Sequence, residues 1–126
     1  MRGEPVRRIL FVDDDPYTLE TLKKAAQVLG HQALLASTGQ EALDVAIEQA
    51  PDLIFVDISL PDVNGLDVVS WISAQPETEL IPVIVLSASP AIDVAQQALS
   101  AGAQEYIAKP IRLQTLMDKI AQYAPE

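Results

Sequence analysis

The 126-residue chain has no cysteine, so it can form neither a disulfide frame nor a thiolate centre. It has a single histidine, His31, which leaves out a histidine-based metal site or triad within one chain. Basic residues are few: 8 Lys and Arg stand against 18 Asp and Glu, giving a net charge of −10. That balance argues against gripping nucleic acid or an anionic membrane by charge alone. Long hydrophobic runs are missing as well, and no stretch is long enough to span a bilayer. Arg2, Arg7 and Arg8 follow Met1, but the apolar run after them is only a strand long, so no secretory segment is expected. There is no Gly/Ser linker, charge run or internal repeat. The expectation is a cytoplasmic protein forming one domain over residues 1–126, with its core at about 8–123 and Met1 to Pro5 as a frayed lead-in.

Aromatic residues make up only 5% of the chain, although 49% of it is hydrophobic. Such a core is built from Ala, Val, Leu and Ile, which suits helices packed on a parallel sheet. The central stretch is Leu53-Ile54-Phe55-Val56-Asp57, four apolar residues ending in a carboxylate and bounded by turn residues. It reads as a buried strand with Asp57 at its carboxyl end. Ile9 to Val12 is a second such run, and it ends in Asp13-Asp14-Asp15. Pro16 then opens a helix with Asp15 as its N-cap, and Gly30 ends it. Gln32 to Ala36 is a short strand. Ser37 and Thr38 cap a helix whose expected buried stripe is Leu43, Ala46, Ile47 and Ala50. Gly65, Val68, Val69 and Ile72 mark a third helix, and Val83 to Leu86 a strand ending at Ser87. Ser89 and Pro90 start a fourth helix, stopped by Gly102. Glu105 to Ile107 is a strand ending near Lys109-Pro110. Leu113, Leu116, Met117 and Ile120 give the last helix its expected inner face. Strand then helix, five times over, implies an α/β fold with a doubly wound five-stranded parallel sheet covered on both faces.

In such a sheet the carboxyl ends of the strands share one edge, where ligands gather. Asp13, Asp14, Asp15, Asp57, Ser87 and Lys109 all fall there. Clustered carboxylates repel one another and are costly to remove from water. A hard divalent cation and Lys109 would relieve both costs. Mg²⁺ takes oxygen ligands and suits a few carboxylates plus a carbonyl. Mg²⁺, a carboxylate nucleophile, a hydroxyl and a lysine together are equipped for phosphoryl transfer through an acyl phosphate.

Four segments now resemble a known family: Phe11-Val12-Asp13-Asp14, Asp57-Ile58-Ser59-Leu60-Pro61 with Gly65, Val85-Leu86-Ser87-Ala88, and Tyr106-Ile107-Ala108-Lys109-Pro110. In order and spacing they resemble the receiver domain of two-component response regulators, from about Arg8 to Tyr123. The resemblance implies a flavodoxin-like sheet of order 2-1-3-4-5. It implies that Asp57 is the phosphoacceptor, that Asp14 binds Mg²⁺ directly and Asp13 through water, and that the Ser59 carbonyl completes the protein's share of the metal shell. Lys109 would pair with Asp57, Ser87 would be the switch hydroxyl and Tyr106 the switch aromatic, and Lys109–Pro110 would be a cis peptide bond. The implied partners are a sensor histidine kinase or a histidine phosphotransfer domain, and a downstream protein target reached through helix four, strand five and helix five.

The same residues bear on other readings. An aspartyl-phosphate hydrolase typically places a second Asp two residues after its nucleophile; here that residue is Ser59. A nucleotide binder of this topology wants a Gly-rich loop where Asp13-Asp14-Asp15 stands. A binding module without phosphorylation would be expected to have lost Asp57, Lys109 or the acidic pair. The chain could equally be a receiver cut from a longer regulator or hybrid kinase. Ser59 and Ser89, both small and uncharged, stand where the resemblance implies control of how water reaches the acyl phosphate, and the small Ala88 should leave the pocket open to a donor. Asp15 reads as a cap, His31 as a surface residue and Trp71 as packing. The fourth helix, with Ala91, Ile92, Val94, Ala95, Ala98 and Leu99, reads as either a buried helix or a docking face.

Overall fold

Each of the apolar runs becomes a strand, and a helix follows each one. The computed structural model describes residues 6–88 and 92–124. In chain order the elements are β1 (Arg8–Val12), α1 (Pro16–Val28), β2 (Gln32–Ala36), α2 (Gly39–Gln49), β3 (Leu53–Asp57), α3 (Gly65–Ala74), β4 (Val83–Ser87), α4 (Ile92–Ala101), β5 (Glu105–Ala108) and α5 (Leu113–Tyr123). All four strand pairings are parallel, in the order β2-β1-β3-β4-β5. This is the doubly wound sheet and the strand order that the sequence led us to expect. The expected helix start at Ser89 and Pro90 lies outside the described residues.

Strand residues alternate between two cores because successive side chains point to opposite faces. Ile9, Phe11, Leu53, Phe55, Ile84 and Leu86 face α1 and α5. Leu10, Val12, Ile54, Val56, Val83 and Val85 face α2, α3 and α4. Both core aromatics lie on the first face, where the Phe11 and Phe55 rings stack 5.6 Å apart on neighbouring strands. β3 and β4 are buried along their whole length, so the two cores close over the centre of the sheet.

The helix ends follow local chemistry. Asp15 caps α1 by accepting from the Tyr17 N–H, with Pro16 as the first helical residue. Thr38 accepts from the Glu41 N–H, and Asn64 caps α3 by accepting from the Leu66 N–H. Gly30 takes φ +86° just beyond α1, which an L side chain resists. Lys119 on α5 pairs with Glu105 on β5 at 2.7 Å, and the Tyr123 hydroxyl donates to the same carboxylate, tying α5 to the edge strand. At the same amino-terminal rim of the sheet, the Arg7 side chain donates to the Ala124 carbonyl, so the two described ends of the chain meet.

Two helices sit differently from expectation. On α2 the buried residues are Gly39, Ala42 and Ala46, with Leu43 only half-buried. Ile47 and Ala50 are exposed, and Ala50 ends the helix in the left-handed region at φ 45°. The smallest side chains face the sheet because α2 packs close to it, and Leu43 flanks the contact. On α5 the inner face is Leu116 and Ile120, continued by Ala124, while Leu113 and Met117 are exposed. On α4 Ala98 is buried, Val94 and Ala95 are half-buried and Leu99 is exposed. Trp71 is half-buried against the α2–α4 core, as a packing role requires. No helix among the described residues is long and apolar enough to cross a membrane.

Candidate functional site

Parallel pairing brings the carboxyl ends of β1, β3, β4 and β5 to one rim. β1 ends at Val12, so Asp13 is the first residue past the strand; its N–H still donates to the Ala36 carbonyl at 3.1 Å, extending the pairing with β2. Asp13 is therefore buried, as is Asp57 at the end of β3. Asp14, one residue further, is exposed at the mouth. The Lys109 N–H donates to the Ser87 carbonyl at 2.8 Å, which fixes the Lys109 backbone beside β4. The Lys109–Pro110 peptide bond is cis, as expected.

The Lys109 ammonium bridges two acids. Its Nζ lies 2.9 Å from Asp13 Oδ2 and 3.1 Å from Asp57 Oδ2. The pairing with Asp57 follows expectation; the closer contact with Asp13 is additional. The second oxygens are also engaged: Asp13 Oδ1 accepts from the Asp15 N–H at 2.9 Å and Asp57 Oδ1 from the Ser59 N–H at 3.1 Å. A carboxylate oxygen offers two lone pairs, so each keeps further acceptor capacity.

Burial pushes the Asp57 carboxyl above its ordinary range. The Ser59 N–H and Lys109 pull it back only in part, and the neighbouring Asp13 charge adds to the upward push. Burial works against the Lys109 ammonium, yet its hydrogen bonds to Asp13 and Asp57 outweigh that and its pKa is raised. One ammonium shared by two acids neutralises neither completely. The centre thus retains a surplus of negative charge.

Asp13, Asp14 and Asp57 each offer an oxygen, and the three lie within 4.8 Å of one another. An octahedral Mg²⁺ site has ligands at 2.0–2.1 Å, so opposing oxygens stand about 4 Å apart. The donor set, all oxygen and of surplus negative charge, fits a hard cation after small adjustments. Asp15 stands outside this group; its oxygens cap Tyr17 N–H and accept from the Thr18 hydroxyl, which holds its carboxyl below the usual range.

Ser87 ends β4 and is buried. Tyr106 pairs with Val85 in register and is half-buried against the α2–α4 core. Ser87 follows Val85 by two residues and so belongs to the same sheet face. The serine and the tyrosine are therefore one step apart along a shared face. Beside Lys109 lies a mostly apolar cavity of about 380 Å³, walled by Leu22, Leu86, Ala88 and Ile111 among others. Ala88 is exposed at its edge. His31 accepts the Arg7 N–H on Nδ1 at the amino ends of the strands, away from the site.

The β3–α3 connection contains a residue that motif reading passed over. Asp62 reaches across to α2, where its two oxygens accept from the Gly39 and Gln40 N–H groups at 2.8 and 3.1 Å. Its only signal in the sequence is a turn-forming Pro61-Asp62 pair, which fits many loops.

Comparison with known proteins gives a consistent result. The family profile described as "Response regulator receiver domain" matches residues 9–121. The transcriptional regulatory protein KdpE of Mycobacterium tuberculosis is 38% identical over 116 residues, 89% of this chain; the match spans about half, 48%, of that relative's length. The polar-differentiation response regulator DivK of Brucella ovis is 32% identical over 117 residues, covering 93% of this chain and 95% of DivK. Among solved structures, a CheY-like response regulator receiver domain protein from Methanospirillum hungatei superposes with a TM-score of 0.87 at 28% identity, covering 94% of this chain and 93% of its own. The receiver domain of a signal transduction histidine kinase from Syntrophus aciditrophicus gives 0.85 at 30% identity, covering 94% and 89%.

Proposed function

Because the chain belongs to the response regulator receiver domain family, we propose that it is a phosphorylation-dependent signalling switch with Asp57 as its phosphoacceptor. The observation that carries this reading is the Lys109 ammonium 3.1 Å from Asp57 Oδ2, beside three carboxylates that converge within 4.8 Å. Asp13, Asp14, Asp57 and the Ser59 carbonyl are the residues that would hold Mg²⁺. Once bound, Mg²⁺ supplies charge neutralisation at the phosphoryl oxygens.

The chain's own groups account for the remainder. Asp57 attacks the phosphorus of a phosphohistidine on a sensor kinase or phosphotransfer protein; the N–P bond breaks as the O–P bond forms, and the freed imidazole takes a proton from water. Burial keeps the Asp57 carboxylate poorly solvated, so little water must be shed before attack. Lys109 is placed to follow the charge from the carboxylate to the phosphoryl oxygens. The exposed Ala88 leaves the mouth open to a donor. The new group adds negative charge and strong acceptors. Ser87 moves to donate to it, and Tyr106, one step back on the same face, turns into the space released. The surface of α4, β5 and α5 then differs between two states, and a downstream protein reads the difference.

The test is mass spectrometry after incubation with Mg²⁺ and acetyl phosphate. One phosphoryl group should be added to the wild-type chain and none to Asp57→Asn. No adduct on the wild type, or an adduct that survives that substitution, removes Asp57 from the role. A second reading has its own support: the KdpE match covers only 48% of that protein, and the Syntrophus structure is a kinase's receiver. On this reading the chain serves as the receiver module of a longer regulator or hybrid kinase, with the same chemistry at Asp57.

A further inference from the structure

Residues 58–64 connect β3 to α3 and carry Ser59, whose carbonyl is assigned above to the metal shell. The base of this connection is closed by its own backbone. Gly65 N–H donates to the Ile58 carbonyl at 2.8 Å, and Ser59 and Asn64 form an antiparallel bridge. Its tip is held by a different element. Asp62 accepts from the first two N–H groups of α2, and a Cβ on Gly39 would meet the Val63 side chain at 2.3 Å, so tip and helix are in direct contact. The α2 terminus has its own local cap in Thr38, whose hydroxyl accepts from the Glu41 N–H at 3.1 Å. The Asp62 contact is therefore a second cap that comes from 22 residues or more away in sequence. The N–H groups it accepts hold its carboxyl below the usual range, so it stays charged at the positive end of the helix.

We propose that Asp62 is a positioning residue for the metal site: it anchors the loop tip to α2 and so fixes where the Ser59 carbonyl stands. This rests on the metal assignment made above. Removing a partner that orients a ligand costs about ten-fold in metal affinity at the low end of experience. Mg²⁺ affinity of the full chain, measured by isothermal titration calorimetry, should fall about that much in Asp62→Ala. Asp62→Asn keeps an accepting oxygen and should recover most of the loss. Thr38→Ala weakens the same helix end without touching the loop; it should lower Tm and leave Mg²⁺ affinity at the wild-type value. With acetyl phosphate, Asp62→Ala should need about ten-fold more Mg²⁺ for half-maximal rate and reach the same rate at saturation. Wild-type affinity in Asp62→Ala, or an equal loss in Thr38→Ala, overturns the positioning role while the metal site stands. A wild-type chain that takes up no Mg²⁺ overturns both.

Discussion

Lys109 holds together a costly arrangement. It is the shared counter-ion of two buried carboxylates, and removing one member of a buried pair leaves an uncompensated charge. Lys109→Met should therefore cost about 3 kcal/mol of stability at pH 7 without Mg²⁺, the low end for a broken buried pair because the Lys109 side chain is itself partly exposed. Burial already pushes the Asp57 carboxyl up, and without the ammonium it would hold its proton still more tightly folded than unfolded, so the penalty should shrink as pH falls from 7 to 5. Urea unfolding at both pH values tests this; a gap between variant and wild type that is small, or the same at both, counts against the bridge. Lys109 itself has a raised pKa, so its contribution is complete below the ordinary value of 10.5 and fades as pH climbs past the raised one. The sequence made the Lys109–Asp57 pair legible because both stand at strand ends beside turn residues. It did not show which of Asp13 and Asp14 turns inward. That depends on β1 extending its pairing by one N–H to Ala36, a contact between strands that no local pattern records.

At the level of elements, the β3–α3 connection is packed closely against its own backbone. A Cβ on Gly65 would lie 2.3 Å from the Asp57 carbonyl oxygen and 2.7 Å from the Ile58 Cα, both backbone atoms that cannot swing aside. Gly65→Ala should shift the turn, cost about 1–3 kcal/mol as overpacking does, and slow phosphorylation by acetyl phosphate at saturating Mg²⁺. A variant with wild-type Tm and rate would show that the turn has room. Gly65 was readable as a turn and helix start, and the stripe Val68, Val69 and Ile72 was readable from periodicity; both stand in the structure. On α5 Leu116 and Ile120 stand as read, while Leu113 and Met117 lie outside the inner face. On α2 Ala46 stands as read but Ile47 and Ala50 do not, and the reason there is physical. Periodicity weighs large aliphatic residues most, whereas close packing of a helix on a sheet favours small ones, so Ala42 is buried and Ile47 is exposed.

For the whole molecule, the net charge of −10 is the background against which three carboxylates converge at one rim. A cation bound only by the folded chain stabilises it by about 1.4 kcal/mol when present at ten times its dissociation constant. Thermal unfolding with and without Mg²⁺ should show a corresponding rise in Tm, and Asp14→Ala should abolish it. Asp14 is exposed, so that variant should unfold like the wild type in the absence of metal. An equal rise in both would place the ion elsewhere. The fold as a whole was legible because five strand–helix repeats allow few arrangements. The faces left exposed on α4 and α5 were not, since periodicity does not record which residues a neighbouring element covers.

The contact between Arg7 and Ala124 sits under the amino ends of the strands, at the pole opposite the acidic rim. A short peptide could bridge these ends, and the backbone could be cut instead at the exposed Glu79–Leu80 turn. Such a circular permutant would keep every strand pairing and every charge at the rim. A reporter joined at Arg7 or at Ala124 would likewise start from the pole away from Asp57, leaving a phosphodonor's approach unobstructed.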